Sequence, residues 1–148
     1  MSTALWIVVA DRGGSRLFEY LGRGQGIVLL REQEHVEGRM KDGDFDADRP
    51  GRAFDRKGQG RHAHGREVSP SEQAAWEYAR RLADELRTAR VEGRLSRLVL
   101  MAPPAFLGML RESLDAPTAA LVAGTLAKDL CRSPAEEISE RLDAVLAS

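Results

Sequence analysis

The chain of 148 residues has almost no cysteine and almost no net charge. Its one cysteine, Cys131, excludes an intrachain disulfide, and nothing in the sequence indicates an oxidising compartment. The 22 Lys and Arg side chains are matched by 23 Asp and Glu side chains, which gives a net charge of -1. That balance excludes a uniformly basic nucleic-acid binder, although it leaves room for a local basic patch.

Long hydrophobic runs are missing as well. The first apolar run, 4–10, lacks a basic region before it and a small-residue cleavage site after it, so it is not a secretory signal. No run approaches the roughly 18 apolar residues of a membrane helix. We therefore expect a soluble, cytoplasmic protein that does not contact membranes.

The length predicts one domain over residues 1–148, since domains average roughly 150 residues. Apolar residues make up 43% of the chain and charged residues 30%, which is ordinary globular composition. A chain of this size can bury a core without disulfides or metal ions. We find no internal repeat and no sign of a second domain.

The first third of the chain predicts three strands. Residues 5–10 form a continuous β-branched and aromatic run that is too short for a helix, which is typical of a buried central strand. Further strands are predicted over 16–21 and 26–32. Because the connections are short, we expect an antiparallel meander.

Helices and strands alternate in the second half. Ser69 as N-cap, Pro70 at the first helical position and Glu72 at the third form a capping box, and Gly93 marks the end of that helix. The elements predicted beyond it are a strand over 98–102, a short helix over 104–114, a last strand over 118–127 and a helix from 133 to about 147.

The resulting order, β-β-β-α-β-α-β-α, predicts an α/β fold with a mixed five-stranded sheet of the ribonuclease H-like class. Nucleases of that class hold two metal ions with carboxylates on the first strand, the first helix and after the fourth strand. Asp11 ends the first predicted strand, and the first helix offers acids at Glu77, Asp84 and Glu85. The fourth strand is instead followed by Pro103 and has no acid. We therefore reject a metal nuclease and interpret Asp11 as a strand-end or turn residue.

A charged loop over 37–68 separates the meander from the first helix. It holds six glycines and fifteen charged residues, and a long loop of this kind is usually functional or flexible. Its first part is acidic and its second part basic, and guanidinium groups on a mobile chain suit a phosphate backbone. The alternatives are that the two parts pair with each other or are simply solvated. The predicted nucleic-acid contacts are Arg49, Arg52, Arg56, Lys57, Arg61 and Arg66.

A metal site and a reactive thiol are less well supported by the sequence than a nucleic-acid contact. The acidic run 42–48 lacks the glycine and glutamate of a calcium loop, so we interpret it as a solvated turn. His62 and His64, with His35 as a conceivable third ligand, could serve a metal-assisted hydrolase, but exposed loop histidines are the preferred interpretation. Cys131 has no motif around it and is expected to pack beside the last helix. We predict no metal and no cofactor.

Several segments together resemble the bacterial host-attachment protein family. They are Trp-Ile-Val-Val-Ala-Asp at 6–11, Asp-Arg-Pro-Gly-Arg-Ala-Phe at 48–54, Gly-Arg-His-Ala at 60–63, Ala-Pro-Pro at 102–104 followed by Phe-Leu-Gly at 106–108, and Lys-Asp-Leu at 128–130. The resemblance runs from about residue 5 to 146. The family's name describes an attachment phenotype and defines no biochemical activity.

The family in turn resembles, at the level of fold, the central domain of archaeal and eukaryotic class-1 release factors. There a Gly-Gly-Gln loop before the first long helix helps water to hydrolyse peptidyl-tRNA. The corresponding loop here reads Lys57-Gly58-Gln59-Gly60, so Lys57 replaces the first glycine. The resemblance implies a catalytic role for Gln59.

Two functional hypotheses follow. The first is a cytoplasmic module whose basic loop contacts rRNA or tRNA on the ribosome, without preference for a DNA sequence, and which hydrolyses peptidyl-tRNA if Gln59 is catalytic. The alternative is a non-enzymatic protein-interaction module that affects attachment to host cells indirectly through a protein partner. The sequence does not decide whether the protein is an enzyme.

Overall fold

The computed structural model describes residues 4–40 and 68–147. Three strands come first, β1 (Leu5–Asp11), β2 (Gly14–Tyr20) and β3 (Ile27–Glu34), followed by a 3-10 turn at Val36–Arg39. Beyond residue 67 the elements are α1 (Pro70–Val91), β4 (Arg97–Met101), α2 (Pro104–Ser113), the short α3 (Ala116–Ala119), β5 (Val122–Leu126) and α4 (Ala135–Ala147).

The strands form one sheet in the order β3-β2-β1-β4-β5. β1 lies in the centre, antiparallel to β2 and parallel to β4, and β5 continues parallel to β4. The first six residues of β1 are buried, which explains why this strand is apolar throughout and does not alternate. The predicted mixed five-stranded α/β fold is confirmed.

Alternate residues of β1 enter two separate cores. Val8 and Ala10 pack with the apolar faces of α1 and α2, whereas Ile7 and Val9 face the other side, where Ile138 of α4 closes a smaller cluster. Successive side chains of a strand point to opposite faces, so one apolar run supplies both cores. No helix among the described residues is both long and apolar enough to span a membrane.

The ends of α1 are those predicted. The Ser69 hydroxyl accepts a hydrogen bond from the Glu72 amide at 3.2 Å, and Pro70 occupies the first helical position. Gly93 follows the helix with φ of +76°, a left-handed conformation that favours glycine and stops the helix.

Several predicted boundaries differ from the structure. β2, predicted over 16–21, begins at Gly14 and ends at Tyr20, and α4, predicted from 133, begins at Ala135. The strand predicted over 118–127 begins only at Val122. The residues before it form the short α3, which has Asp115 as its N-cap and Pro117 in its first turn. The Thr118 hydroxyl accepts a hydrogen bond from Arg90 at 2.9 Å. β3 extends to Glu34, two residues beyond its predicted end. Residues 37–39, predicted as loop, belong to the 3-10 turn.

Candidate functional site

A cleft of about 730 Å³ lies where the parallel strands end. Asp11 closes β1, Pro103 follows β4 and Asp129 lies three residues beyond β5, and all three line the cleft. The chain order reverses at β1, since β2 and β3 lie on one side of it and β4 and β5 on the other. A crevice at the carboxyl ends of strands beside such a switch point is the common ligand site of open α/β sheets.

The amino ends of two helices reach the same cleft. Ala105 and Phe106 in the first turn of α2 line it, as does Ser71 in the first turn of α1. Amide groups at a helix amino end carry a partial positive charge, so this arrangement favours an anionic group in the cleft.

Three arginines add full positive charges to the lining, namely Arg12, Arg39 and Arg132. The guanidinium of Arg39 lies 3.5 Å from the Glu34 carboxylate, and its side chain remains 45% exposed. Arg132 is exposed and Arg12 is partly buried. Guanidinium groups bind phosphate oxygens in a bidentate geometry, so a phosphate-bearing ligand suits this lining.

Two carboxylates that line the cleft lie close to the thiol of Cys131. Ligand atoms of Asp11, Asp129 and Cys131 lie within 4.8 Å of one another. Asp11 Oδ1 accepts from the Gly13 amide at 2.7 Å, and Asp129 Oδ1 accepts from the Cys131 amide at 3.1 Å. Burial raises the pKa of Asp11, and the Asp129 carboxyl raises it further, against the lowering effect of the Gly13 amide.

The thiol of Cys131 is unsuited to nucleophilic catalysis. Burial raises its pKa far above the ordinary range, and the neighbouring Asp11 and Asp129 carboxyls add to the effect. The sulfur lies 3.8 Å from the Gly14 carbonyl oxygen, and the side chain packs against the core cluster that includes Ile138 of α4. This position agrees with the packing predicted for Cys131.

Arg16 holds the segment that carries Asp129 and Arg132 against β2. Its Nη1 donates to the carbonyl oxygens of Cys131 at 3.1 Å and Ser133 at 2.7 Å. The guanidinium also lies 5.0 Å from the centre of the Phe18 ring. Arg16 is therefore a positioning residue for this wall of the cleft.

His35 plays a similar part on the opposite wall. Its Nδ1 lies 2.9 Å from the Arg12 carbonyl oxygen, its Nε2 lies 3.2 Å from the Arg81 guanidinium, and its ring stacks on Tyr78 at 4.3 Å. Since a guanidinium can only donate, Nε2 accepts and Nδ1 carries the proton. Both ring nitrogens have partners, so the idea of His35 as a third metal ligand is not supported.

The other predicted site residues lie outside the described residues. Gln59, Arg49, Arg52, Arg56, Lys57, Arg61 and Arg66 all fall within 41–67, as do His62, His64 and the acidic run 42–48. The described chain nevertheless shows where this segment is attached. Met40 immediately before it and Ser71, four residues after it, both line the cleft.

The acids considered on the first helix do not reach Asp11. Glu85 forms two hydrogen bonds of 2.7 Å with Arg31, and Glu77 lies exposed beside Gln73. The acid that does meet Asp11 is Asp129, which the sequence analysis missed together with Arg12, Arg39 and Arg132. The rule that strand carboxyl ends meet at one edge could have identified Asp129, because it follows β5 closely.

The sequence matches, over residues 6–142, the family described as "Protein required for attachment to host cells". No protein with a curated description matches it. Similar solved structures include one named only "Archaeal protein", at 17% identity and a TM-score of 0.44, and the crystal structure of an archaeal translation termination factor, aRF1, at 15% identity and a TM-score of 0.48. The matches cover 83% and 95% of this chain but only 28% and 38% of those proteins. Similarities of this degree carry no inference about activity.

Proposed function

Because the chain belongs to the family of proteins required for attachment to host cells, whose name states a phenotype and no reaction, we propose its biochemical role from the cleft. The protein is a cytoplasmic RNA-associated module whose cleft and adjoining segment bind the phosphates of ribosomal or transfer RNA. The observation that carries the proposal is that three guanidinium groups line the cleft together with the amino ends of two helices. Phosphate contacts of this kind position a protein on nucleic acid without reading its sequence.

The attachment of segment 41–67 supports the same role. Between residues 49 and 66 the sequence carries six basic residues and one acid. The segment is connected at both ends to residues that line the cleft, Met40 and Ser71. A polyanion long enough to contact both the cleft arginines and the basic residues of this segment would bind more tightly than a single phosphate.

Ester hydrolysis is the stronger form of this proposal. In it, Gln59 orients a water molecule towards the ester of peptidyl-tRNA, with Lys57 in place of the first glycine of the release-factor motif. A release assay on programmed ribosomes tests this form with Gln59→Ala, which is expected to abolish hydrolysis while leaving binding unchanged. Equal release by wild type and variant excludes a catalytic Gln59.

Co-sedimentation with purified ribosomes, at low and moderate salt, tests the binding proposal. We expect the wild type to pellet with ribosomes and to dissociate as salt rises. Arg12→Gln with Arg132→Gln, and separately a deletion of 49–66, are expected to weaken pelleting. With single-stranded RNA, the double variant should reduce the slope of log affinity against log salt by about 1.4, because each lost phosphate contact removes about 0.7.

The matched control is Arg87→Gln with Arg97→Gln. These exposed arginines lie towards the carboxyl end of α1 and at the start of β4, outside the cleft lining, and their loss changes the net charge by the same amount. Equal losses in both double variants show attraction by overall charge and contradict a built site. If the wild type does not bind RNA or ribosomes at low salt, the proposal fails and the protein-interaction alternative takes its place.

A further inference from the structure

β3 forms one outer edge of the sheet. Within residues 4–40 and 68–147, no strand pairs with the side of β3 that faces away from β2. Three consecutive apolar residues on it are exposed, Val28 at 42%, Leu29 at 46% and Leu30 at 42%. An edge of this kind presents unpaired amide and carbonyl groups next to apolar side chains, which is the usual template for pairing with another strand.

The usual protections of an edge strand are weak here. β3 has eight residues and contains neither proline nor lysine. A bulge inserts Leu30 as an extra residue opposite Leu17 and Phe18, but Leu30 stays exposed. The other edge is better covered, since β5 has only five residues and a Cβ on its Gly124 would collide with Val145 of α4.

The charges of β3 lie at one end of the strand. Arg31 is turned towards α1, where it bonds to both carboxylate oxygens of Glu85 at 2.7 Å and to the Ser15 hydroxyl at 3.1 Å. The remaining charged residues are Glu32 and Glu34, both exposed, and Glu34 also lies 3.5 Å from the Arg39 guanidinium. The other end of β3 joins a turn that carries Arg23. The edge thus has an acidic end, an apolar centre and a basic turn.

We propose that this edge pairs with the same edge of a second copy of the chain. Antiparallel pairing centred on Leu29 places it opposite the partner's Leu29 and places Val28 opposite the partner's Leu30. The same register brings Glu32 and Glu34 to the turn that carries the partner's Arg23. The apolar centres therefore meet each other, and each acidic end meets a basic turn. The two five-stranded sheets become one sheet of ten strands.

The next two antiparallel registers are disfavoured by charge. A shift of one residue on each strand places Glu32 opposite the partner's Val28, and a shift of two residues places Arg31 opposite the partner's Arg31 and Glu32 opposite the partner's Leu30. Like charges directly opposite each other destabilise a strand pair, and a carboxylate facing an apolar side chain loses hydration without a partner. The register centred on Leu29 has neither defect.

Disulfide trapping tests both the pairing and its register. In a Cys131→Ser background, Leu29→Cys is expected to form a covalent dimer on mild oxidation, because opposed Cα atoms in an antiparallel pair lie about 4.5–5.5 Å apart, within disulfide range. Glu32→Cys is the matched control, since residue 32 faces the partner's Gly26 and has no cysteine opposite it. Equal cross-linking of both variants, or none with Leu29→Cys, overturns the proposal.

Sedimentation velocity tests the pairing without a covalent trap. The wild type is expected to sediment increasingly as a dimer as its concentration rises, and Leu29→Lys to remain a monomer. Ala123→Lys, an exposed position on the opposite edge strand β5, is expected to dimerise like the wild type. Circular dichroism establishes that each variant is folded. A wild type that stays monomeric throughout, or equal loss of dimer in both lysine variants, contradicts the proposal.

Discussion

At the scale of single residues, Asp11 is a carboxyl group whose surroundings disfavour its charged form. Its carboxyl group is partly buried beside Asp129 and Cys131, and burial raises its pKa above the ordinary 3.8. The folded protein therefore binds the Asp11 proton more tightly than the unfolded chain does. Its contribution to stability falls as pH rises from the ordinary value through the raised one, and above both values ionised Asp11 costs stability.

Asp11→Asn should therefore stabilise the protein at pH 7, because the amide oxygen can still accept from the Gly13 amide and carries no charge to desolvate. The gain should shrink as the pH falls through the raised pKa of Asp11 towards 3.8, because the folded wild type takes up the Asp11 proton over this range. Urea denaturation at several pH values between 4 and 7 measures this.

Asp143→Asn is the control for that measurement. Asp143 is exposed on α4, so its replacement should change the free energy of unfolding little and without the same pH dependence. A loss of stability in Asp11→Asn at pH 7 would show that the hydrogen bond from the Gly13 amide to the charged carboxylate outweighs desolvation. A stabilising substitution at this position also fits a residue retained for function, since site residues often cost stability.

At the scale of elements, the 3-10 turn at Val36–Arg39 is held against the β1–β2 turn by close packing at Gly38. A Cβ on Gly38 would collide with the carbonyl oxygen of Arg12 and approach the His35 ring. The obstacle is backbone and a stacked ring, neither of which can move freely. Gly38 therefore maintains the wall of the cleft that carries Arg12 and Arg39.

Gly38→Ala is expected to lower the free energy of unfolding by about 2–3 kcal/mol, as overpacking against a rigid neighbour does. Gly108→Ala is the matched control, since a Cβ there meets nothing within 4 Å and the residue lies in α2. Alanine at position 108 should stabilise the protein by up to about 1 kcal/mol. Urea denaturation measures both. A neutral Gly38→Ala would show that the turn is not held against β1.

The boundaries of helices and strands show which features a local sequence pattern can predict. The capping box at Ser69 and the stop at Gly93 predict α1 correctly, because both signals depend on backbone groups within a few residues. The strand predicted from Thr118 is wrong at its start, because that hydroxyl serves a hydrogen bond from Arg90, 28 residues earlier. A window of neighbouring residues contains no information about such a partner.

At the scale of the whole molecule, the sheet separates two cores, and β1, β2, β4 and β5 contribute side chains to both. Leu82 of α1 is buried in the larger core and Leu142 of α4 in the smaller. Since β1 contributes to both, we predict that the chain unfolds as one domain and that neither core melts independently.

Leu82→Ala and Leu142→Ala should each destabilise the protein by about 3 kcal/mol, the usual cost of removing a buried leucine. Each variant should shift one common transition, lowering Tm by roughly 6–12 °C for a chain of this length. Scanning calorimetry, with circular dichroism as the second probe, measures this. Two separate transitions, or an unchanged main transition in Leu142→Ala, would contradict a single domain.

Most of the architecture of this protein is determined by sequence. Hydrophobic periodicity, capping residues and turn glycines are local signals, and they suffice for the three-strand meander and for α1. The family, too, can be recognised from short motifs such as the one at 102–108. The mixed five-stranded sheet follows from the order of the elements together with the right-handed crossover rule, whereas the spatial order of the strands was not predicted.

The cleft is decided only by tertiary structure. Asp11 and Asp129 meet because β1 and β5 run in the same direction in one sheet, and Arg12, Arg39 and Arg132 join them from three separate connections. Arg16 and His35 then hold two of those connections through hydrogen bonds to backbone carbonyl groups. Asp11 and Asp129 are 118 positions apart in the chain, and no local pattern distinguishes such residues from ordinary surface charges. The sequence shows that the segment 41–67 is unusually charged, but only the fold shows that Met40 before it and Ser71 after it both line the cleft.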